Sequence, residues 1–437
     1  MSDTPVLIRG GRVLDPSRRL DQTLDLLLRD GVVAKVDEKI APPKGAEVVE
    51  AAGLVVAPGF VDLHVHLREP GFEYKETIAS GTAAAAAGGF TTICAMANTD
   101  PVTDDAPTVS FVLRRARETG RVRVFSIGAV SKGLKGEQLA EIGSMKAEGI
   151  VAISDDGRGV QNAGLMRRAM EYASMFDLPV VVHAEDDGLA MGGVMNEGWV
   201  STRLGLAGQP AAAESVMVAR DVQIAALTSS RLHVAHVSTR ESLDAIRNGR
   251  RHGVHVTCEA TPHHLTLTDE EVARSGYDTR FKVNPPLRSE ADRHALVAAL
   301  ADGTIDCVAT DHAPHHADEK GLEFADAPSG VIGLETALPV LVDALLAPRH
   351  VSLMRLVEVL STAPARLFAL PYGTLAEGVP GDVVLFSTTR STHVTPDGFH
   401  SKARNSPWVA RTLKGRVEKT WVAGREVFGR PGSGAAR

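Results

Sequence analysis

The sequence lacks the features of a membrane, secreted or nucleic-acid-binding protein. Its 437 residues contain no run of about 18 apolar residues, the length that spans a bilayer as a helix. The three cysteines are far apart and form no CxxC pair, which indicates reduced thiols rather than a disulfide framework. The net charge of −7 gives no positive field for phosphates, and the N-terminal stretch lacks the basic start and apolar core of a signal peptide. We therefore expect a cytoplasmic protein that binds neither membranes nor nucleic acid.

Both ends of the chain have the pattern of short β-strands separated by turns. Apolar runs at 6–8, 24–28, 32–34 and 48–50 are separated by Gly-Gly, Asp-Gly and Pro-Pro breakers. The C-terminal stretch repeats this pattern, with strand-like runs at 382–386 and 417–422. We predict that residues 1–57 and 368–437 pair into one small β-sandwich, which forms an accessory domain.

The middle of the chain alternates strand-like runs with helical segments, as parallel βα units do. The eight runs are 60–66, 91–96, 122–127, 150–154, 180–183, 232–237, 254–258 and 305–310. Residues 58–367 are therefore predicted to form a (β/α)8 barrel of the TIM type, an α/β fold whose active sites lie at the C-terminal ends of the strands. The alanine-rich segment 77–87 predicts a helix, and the polar segment 318–329 predicts a mobile loop over the site.

Histidines follow three of these strands. His64 and His66 end the first strand two residues apart, so both imidazoles point the same way. His183 and His236 follow the fifth and sixth strands, and the four rings offer neutral nitrogen donors at one rim of the barrel. By strand alternation His233 lies on the opposite face from His236, and we predict that it packs rather than binds a metal.

Carboxylates complete this pattern at the ends of two further strands. Asp311 follows the last strand and shares a face with Cys307, so it can point into the barrel mouth, bind metal and move a proton. The fourth strand ends in Asp155 and Asp156. If Ile153 faces the helices, Asp156 points inward and can bridge two metal ions, so we prefer it while Asp155 stays open.

Five motifs carry a resemblance to a known family. They are HVHLREPG at 64–71, Asn98-Thr99, TPHHL at 261–265, NPPLR at 284–288 and DHAPH at 311–315. In this order the motifs resemble those of the class I, bacterial-type dihydroorotases of the amidohydrolase superfamily, over essentially the whole chain. The resemblance implies the reversible cyclisation of N-carbamoyl-L-aspartate to (S)-dihydroorotate plus water, a step of de novo pyrimidine biosynthesis.

The resemblance also implies roles for particular residues. One or two zinc ions, two being favoured, would be held by His64, His66 and Asp311 and by His183 and His236, with Asp156 as the bridge. The substrate would be bound by His66, Arg68, Asn98, Asn284, His315 and the backbone at Ser329 and Gly330. Related sequences usually carry Phe in place of Ser329, a change expected to alter packing more than recognition.

The expected mechanism is attack of a metal-held hydroxide on the ring carbonyl, with Asp311 as general base and then general acid. Synthesis needs Asp311 protonated, so it should favour lower pH than ring opening. One alternative is a dihydropyrimidinase, hydantoinase or allantoinase, although these commonly bridge their metals with a carboxylated lysine. Another is an inactive paralogue bound to aspartate carbamoyltransferase, although such paralogues lose the metal-binding histidines. From the family we expect a homodimer, and association with aspartate carbamoyltransferase is possible.

Overall fold

A parallel eight-stranded sheet forms the centre of the molecule in the computed structural model, which describes residues 4–431. In chain order the barrel strands are Phe60–Val65, Phe90–Ala95, Arg123–Gly128, Ala152–Ser154, Val180–Val182, Leu232–Val234, Val256–Ala260 and Cys307–Val308. Each strand pairs in parallel with the next. The His66 amide donates to the His312 carbonyl at 2.9 Å and joins the two ends of the sheet. The predicted (β/α)8 barrel is confirmed, and each predicted run overlaps one of its strands.

The eighth strand is shorter than predicted because a side chain replaces part of its backbone pairing. The buried Asp62 carboxylate accepts from the Thr310 amide at 3.1 and 3.2 Å and from the Thr310 hydroxyl at 2.6 Å. It also accepts from the His64 amide at 3.1 Å. Asp62 therefore ties the first strand to the eighth strand directly below the residues that were predicted to bind metal.

Helices lie between and around the barrel strands. They span Ile78–Ala87, Ala106–Thr119, Ile142–Glu148, Ala163–Ser174, Asp187–Ala190, Trp199–Leu204, Ala211–Thr228, Arg240–Arg251, Pro262–Thr266, Glu270–Arg274, Glu290–Asp302, Ala317–Lys320, Ala337–Leu341, Leu353–Val357 and Ala363–Leu367, with π-helical turns at Val342–Leu346 and Glu358–Thr362. The predicted helix at 77–87 begins after Thr77, whose hydroxyl accepts from the Ser80 amide at 3.1 Å. Its buried alanines join the large apolar core between helices and strands.

The two chain ends form a second sheet. Its strands are Val6–Asp15, Leu20–Arg29, Val32–Asp37, Glu47–Glu50, Val55–Pro58, Val383–His393, Thr412–Val422 and Arg425–Gly429. The ends meet where Val55–Pro58 pairs antiparallel with Val383–His393, so the predicted pairing of the two ends is confirmed. All eight strands belong to one continuous hydrogen-bonded sheet, whose buried Leu26, Leu385 and Trp421 share one apolar cluster. The exact division of the chain at 57/58 and 367/368 stays a prediction.

A two-stranded parallel pair, Met195–Asn196 and Gly208–Gln209, lies between the fifth and sixth barrel strands. Within residues 4–431, no helix is long and apolar enough to cross a membrane. The three cysteines, Cys94, Cys258 and Cys307, are buried and unpaired, as predicted.

Candidate active site

The first barrel strand and the turn after the eighth place three ligand groups together. His66 Nε2 lies 3.0 Å from Asp311 Oδ1, and His64 Nε2 lies 3.5 Å from the same oxygen. All three residues are buried, and their ligand atoms lie within 4.8 Å of one another. This arrangement can hold one metal ion.

A second group lies beside the first. His183 Nδ1 is 2.9 Å from His236 Nε2, and Asp156 Oδ1 lies 3.6 Å from the former and 3.4 Å from the latter. The other oxygen, Asp156 Oδ2, lies 3.4 Å from His66 Nε2. Asp156 Oδ1 also lies 3.4 Å from His64 Nε2, so the carboxylate contacts histidines of both groups and is placed to bridge two ions.

The neighbouring Asp155 has a different set of contacts. Its carboxylate accepts from the backbone amides of Val130 at 2.8 Å and Ser131 at 2.9 Å, and from the Ser131 hydroxyl. It therefore holds the loop after the third strand. In agreement with the reasoning from strand faces, Ile153 joins the outer core between strands and helices, and Ala152 joins the cluster inside the barrel. The geometry favours Asp156 as the bridge, and its metal role stays a prediction.

Unsatisfied atoms show that these groups fit metal ions. His64 Nε2 and Asp156 Oδ1 are buried with no hydrogen-bond partner, an arrangement that costs about 1–3 kcal/mol for each neutral group and more for a charged one. A cation between them would satisfy both. Burial favours neutral carboxyls, but the neighbouring histidines together outweigh it and lower the pKa of both Asp156 and Asp311. Both carboxylates are therefore in the ionised form that metals bind.

Two of the metal-binding candidates have unusual backbone conformations. His236 has a φ of 33° and Asp311 a φ of 47°, both in the left-handed region that residues other than glycine rarely adopt. The sixth strand ends at Val234, so strand alternation does not extend to His236. Its side chain turns towards the site through this left-handed backbone. Such strain is typical of functional positions.

His233 has polar contacts beyond packing, and the prediction that it does not bind a metal stays a prediction. His233 Nε2 lies 3.2 Å from Glu259 Oε2, and Glu259 Oε1 lies 2.9 Å from His64 Nδ1. His233 Nδ1 lies 2.8 Å from the Thr257 hydroxyl. Burial raises the pKa of Glu259, but His233 and His64 outweigh burial and lower it to about 2. The ionised carboxylate fixes the Nδ1–H tautomer of His64 and leaves Nε2 for a metal.

Replacing Glu259 by Gln should therefore weaken zinc binding about 10- to 100-fold, the usual loss for a carboxylate behind a histidine ligand. Zinc affinity can be measured by competition with a chromogenic chelator. Asp221→Asn is a matched control, because Asp221 is also buried but pairs with Arg220 on a helix away from the histidines. Equal zinc affinities for wild type and Glu259→Gln would contradict the role of Glu259.

The residues predicted to bind the substrate carboxylate lie beside the first group. Asn98 Oδ1 lies 2.8 Å from His66 Nδ1, so the Asn98 amide nitrogen is free to donate elsewhere. The Arg68 guanidinium donates to the Pro314 carbonyl at 3.2 Å and lies 3.5 Å from His315 Nε2. Within residues 4–431, no carboxylate forms an ion pair with Arg68. Its positive charge is thus available to an anionic ligand.

His315 and Gly330 are held together by an asparagine that the sequence did not point to. His315 Nε2 donates to the Ser329 carbonyl at 2.9 Å, so the backbone group expected to bind substrate is already engaged by His315. Asn405 Nδ2 donates to the Ala313 carbonyl at 3.1 Å and the Gly330 carbonyl at 3.0 Å. Gly330 has a φ of 132°, and a Cβ there would lie 3.1 Å from His315 Nε2. Glycine is required at this close approach.

The segment 318–329, predicted to be a mobile loop, begins within the short helix Ala317–Lys320. The Lys320 ammonium is buried and donates to the carbonyls of Pro328 at 2.9 Å and Gly330 at 3.2 Å. The Lys282 ammonium donates to the Ala325 carbonyl at 2.7 Å. Two lysines therefore tie this segment to the wall of the site, and its mobility stays a prediction.

A parallel barrel with histidines and aspartates gathered at the C-terminal ends of its strands defines the class of metal-dependent barrel hydrolases. Among solved structures, the L-hydantoinase (dihydropyrimidinase) from Arthrobacter aurescens superposes with a TM-score of 0.88 at 26% identity, covering 100% of this chain and 98% of that one. A family model described as dihydro-orotase-like matches residues 53–242.

Curated relatives are more similar in sequence. The dihydroorotase of Anaeromyxobacter dehalogenans strain 2CP-1 is 54% identical over 427 residues and covers 98% of each chain. The dihydroorotase of Solibacter usitatus is 51% identical over 429 residues, covering 98% of this chain and 99% of the relative. The chain belongs to the dihydroorotase family.

Proposed function

We propose that this chain catalyses the reversible cyclisation of N-carbamoyl-L-aspartate to (S)-dihydroorotate and water in pyrimidine biosynthesis. One observation carries the choice of substrate: the guanidinium of Arg68, which forms no ion pair with a carboxylate of residues 4–431, lies two residues after His66 of the first group. A planar guanidinium binds a carboxylate through two parallel hydrogen bonds. Dihydroorotate has such a carboxylate, whereas the neutral rings of dihydrouracil and hydantoin do not.

The metals are proposed to be two zinc ions. His64, His66 and Asp311 would hold one, His183 and His236 the other, and Asp156 would bridge them. Nitrogen and oxygen ligands of this kind suit zinc. When bound, zinc ions activate a water molecule at neutral pH and polarise a carbonyl oxygen.

The chain's own contribution to the chemistry is proton transfer and substrate positioning. In ring opening, a C–O bond forms, the ring C–N bond breaks, and Asp311 carries the proton of the attacking water to the departing nitrogen. In ring closure Asp311 begins protonated and the same steps run backwards. Arg68, the free amide of Asn98 and His315 orient the substrate carboxylate, and His66 lies close enough to touch the substrate as well.

The test is an assay of the zinc-reconstituted protein with dihydroorotate, carbamoyl-aspartate, dihydrouracil, hydantoin and allantoin. We expect turnover of the first two only. Arg68→Met should lower kcat/KM for dihydroorotate by about 100-fold, since a half-buried charge partner of the substrate carboxylate is lost, and Arg68→Lys should recover part of it. Turnover of neutral rings alone would favour a hydantoinase-type activity, for which the likeness to the L-hydantoinase fold is the supporting observation.

The assembly of the protein is also a proposal. We propose a cytoplasmic homodimer with residues 1–57 and 368–437 as the accessory domain and 58–367 as the catalytic barrel. Association with aspartate carbamoyltransferase is compatible with activity, because the chain retains all five of His64, His66, His183, His236 and Asp311. Light scattering of the protein alone and mixed with the carbamoyltransferase distinguishes these states.

A further inference from the structure

Glu185 lies two residues after His183, and one of its carboxylate oxygens is contacted by three side chains. Glu185 Oε2 accepts from Asn284 Nδ2 at 2.8 Å and from Gln209 Nε2 at 2.8 Å, and it lies 3.5 Å from His183 Nε2. The Glu185 side chain is 21% exposed, so it lies at the edge of the site rather than in the core. It therefore contacts both His183, a candidate metal ligand, and Asn284, a residue predicted to bind the substrate.

The carboxylate determines which end of the Asn284 amide faces the site. An ionised carboxylate only accepts hydrogen bonds, so the end of the amide that approaches it at 2.8 Å must be the NH₂ group. The opposite orientation would place two oxygens against each other. In the described part of the chain no group donates to Asn284 Oδ1, and this oxygen remains available to accept from a ligand.

The same oxygen orients the ring of His183. An Nε2–H directed at Glu185 leaves the lone pair of the ring on Nδ1. That nitrogen lies 2.9 Å from His236 Nε2 and 3.6 Å from Asp156 Oδ1, within the second group of metal-binding candidates. The Asn284 amide nitrogen also lies 3.3 Å from His183 Nε2, and an N–H directed there would leave Nε2 as the acceptor. The Glu185 carboxylate, which can only accept, is therefore the contact that favours the Nε2–H tautomer.

We propose that Glu185 is a positioning residue that couples substrate recognition to the second metal position. It holds Asn284 so that Oδ1 accepts an N–H group of the ring or ureido portion of the substrate, and it holds His183 with Nδ1 turned to the metal. The site therefore selects ligands that present an N–H donor opposite Asn284. This inference rests on the proposed function, because it takes Asn284 to bind substrate.

A double-mutant cycle tests whether Glu185 acts on substrate binding through Asn284. Glu185→Ala and Asn284→Ala should each raise KM for dihydroorotate about 10-fold. This is the size of effect expected when one hydrogen bond, from a substrate N–H group to Asn284 Oδ1, is lost. If Glu185 acts through Asn284, the double variant should be no worse in KM than Asn284→Ala alone. Glu185→Gln should recover most of the KM, since its carbonyl oxygen still accepts from Asn284. Asp187→Ala, an exposed carboxylate in the same segment, is the control and should match wild type.

A measurement of zinc affinity, which needs no substrate, tests whether Glu185 orients His183 towards the metal. Glu185→Ala should weaken zinc binding by about 10-fold or more, whereas Asn284→Ala should leave it unchanged. Glu185→Met, which keeps the side-chain volume and removes the acceptor, replaces the alanine variant if that variant does not fold. Additive effects on KM, or wild-type zinc affinity without the Glu185 carboxylate, would overturn the proposal. Failure of wild type to turn over dihydroorotate would instead reject the proposed function, and the zinc measurement would still decide the role of Glu185 towards His183.

Discussion

Asp311→Asn should lower kcat for ring opening and for ring closure by about 10²- to 10⁴-fold, the usual contribution of a general acid/base. The amide has the size of the carboxyl but cannot take up or release the proton that moves between water and the ring nitrogen. Arg68 and Asn98 are untouched, so KM for dihydroorotate should change much less than kcat. Steady-state kinetics in both directions on zinc-loaded protein provide the measurement. A variant that keeps more than a tenth of wild-type kcat would show that another group carries the proton.

The pH dependence of the wild-type enzyme also tests the role of Asp311 in proton transfer. Burial alone would raise the pKa of Asp311, but His64 and His66 outweigh burial and lower it, and a bound cation acts in the same direction. Ring opening uses the ionised form, so its rate should hold down to acid pH. Ring closure uses the protonated form, so its rate should rise as the pH falls. Identical kcat/KM profiles in both directions would contradict this assignment.

The parts of the site that sequence analysis predicted are those fixed by local pattern. His64 and His66 stand two residues apart at the end of a strand, and alternation alone brings their rings together. His236 and Asp311 were predicted from the same rule, yet both have left-handed backbones that the rule does not contain. The His236 side chain does point into the site, but the left-handed turn after Val234 places it there, not strand alternation. The argument that His233 and His236 lie on opposite faces extended strand alternation past the end of the strand at Val234.

The missed residues act through long-range contacts. Glu259 reaches His64 across 195 positions of sequence, and Asn405 holds Ala313 from 92 positions away, within a stretch predicted to belong to the accessory domain. No spacing rule connects such pairs, because the fold alone makes them neighbours. One signal was present for Glu259: a charged residue inside an otherwise apolar barrel strand is costly unless it is paired. That cost marks Glu259 as a residue that needs a partner, but it does not identify His64 as the partner.

Asp156→Asn should reduce zinc binding and Asp155→Asn should reduce folding stability, although the two residues are adjacent. Asp156 lies among four histidines, and one of its oxygens is buried without a hydrogen-bond partner. Its replacement removes the charge between the two metal positions. The loss of zinc affinity should exceed the roughly 100-fold typical of residues that only support a ligand, and turnover should fall with the metal content. Metal analysis after dialysis, together with kcat, measures both effects.

Asp155→Asn should instead affect folding stability. Asn retains one oxygen acceptor where the carboxylate accepts from the Val130 amide and the Ser131 amide and hydroxyl. Leaving part of this buried set unsatisfied should lower the free energy of unfolding by about 1–3 kcal/mol. Urea denaturation of the metal-free protein measures this change, and zinc content and kcat should remain close to wild type. If Asp155→Asn lost the metal while Asp156→Asn kept it, the bridge would be the other carboxylate, and the inward face of the fourth strand would have to be reassigned.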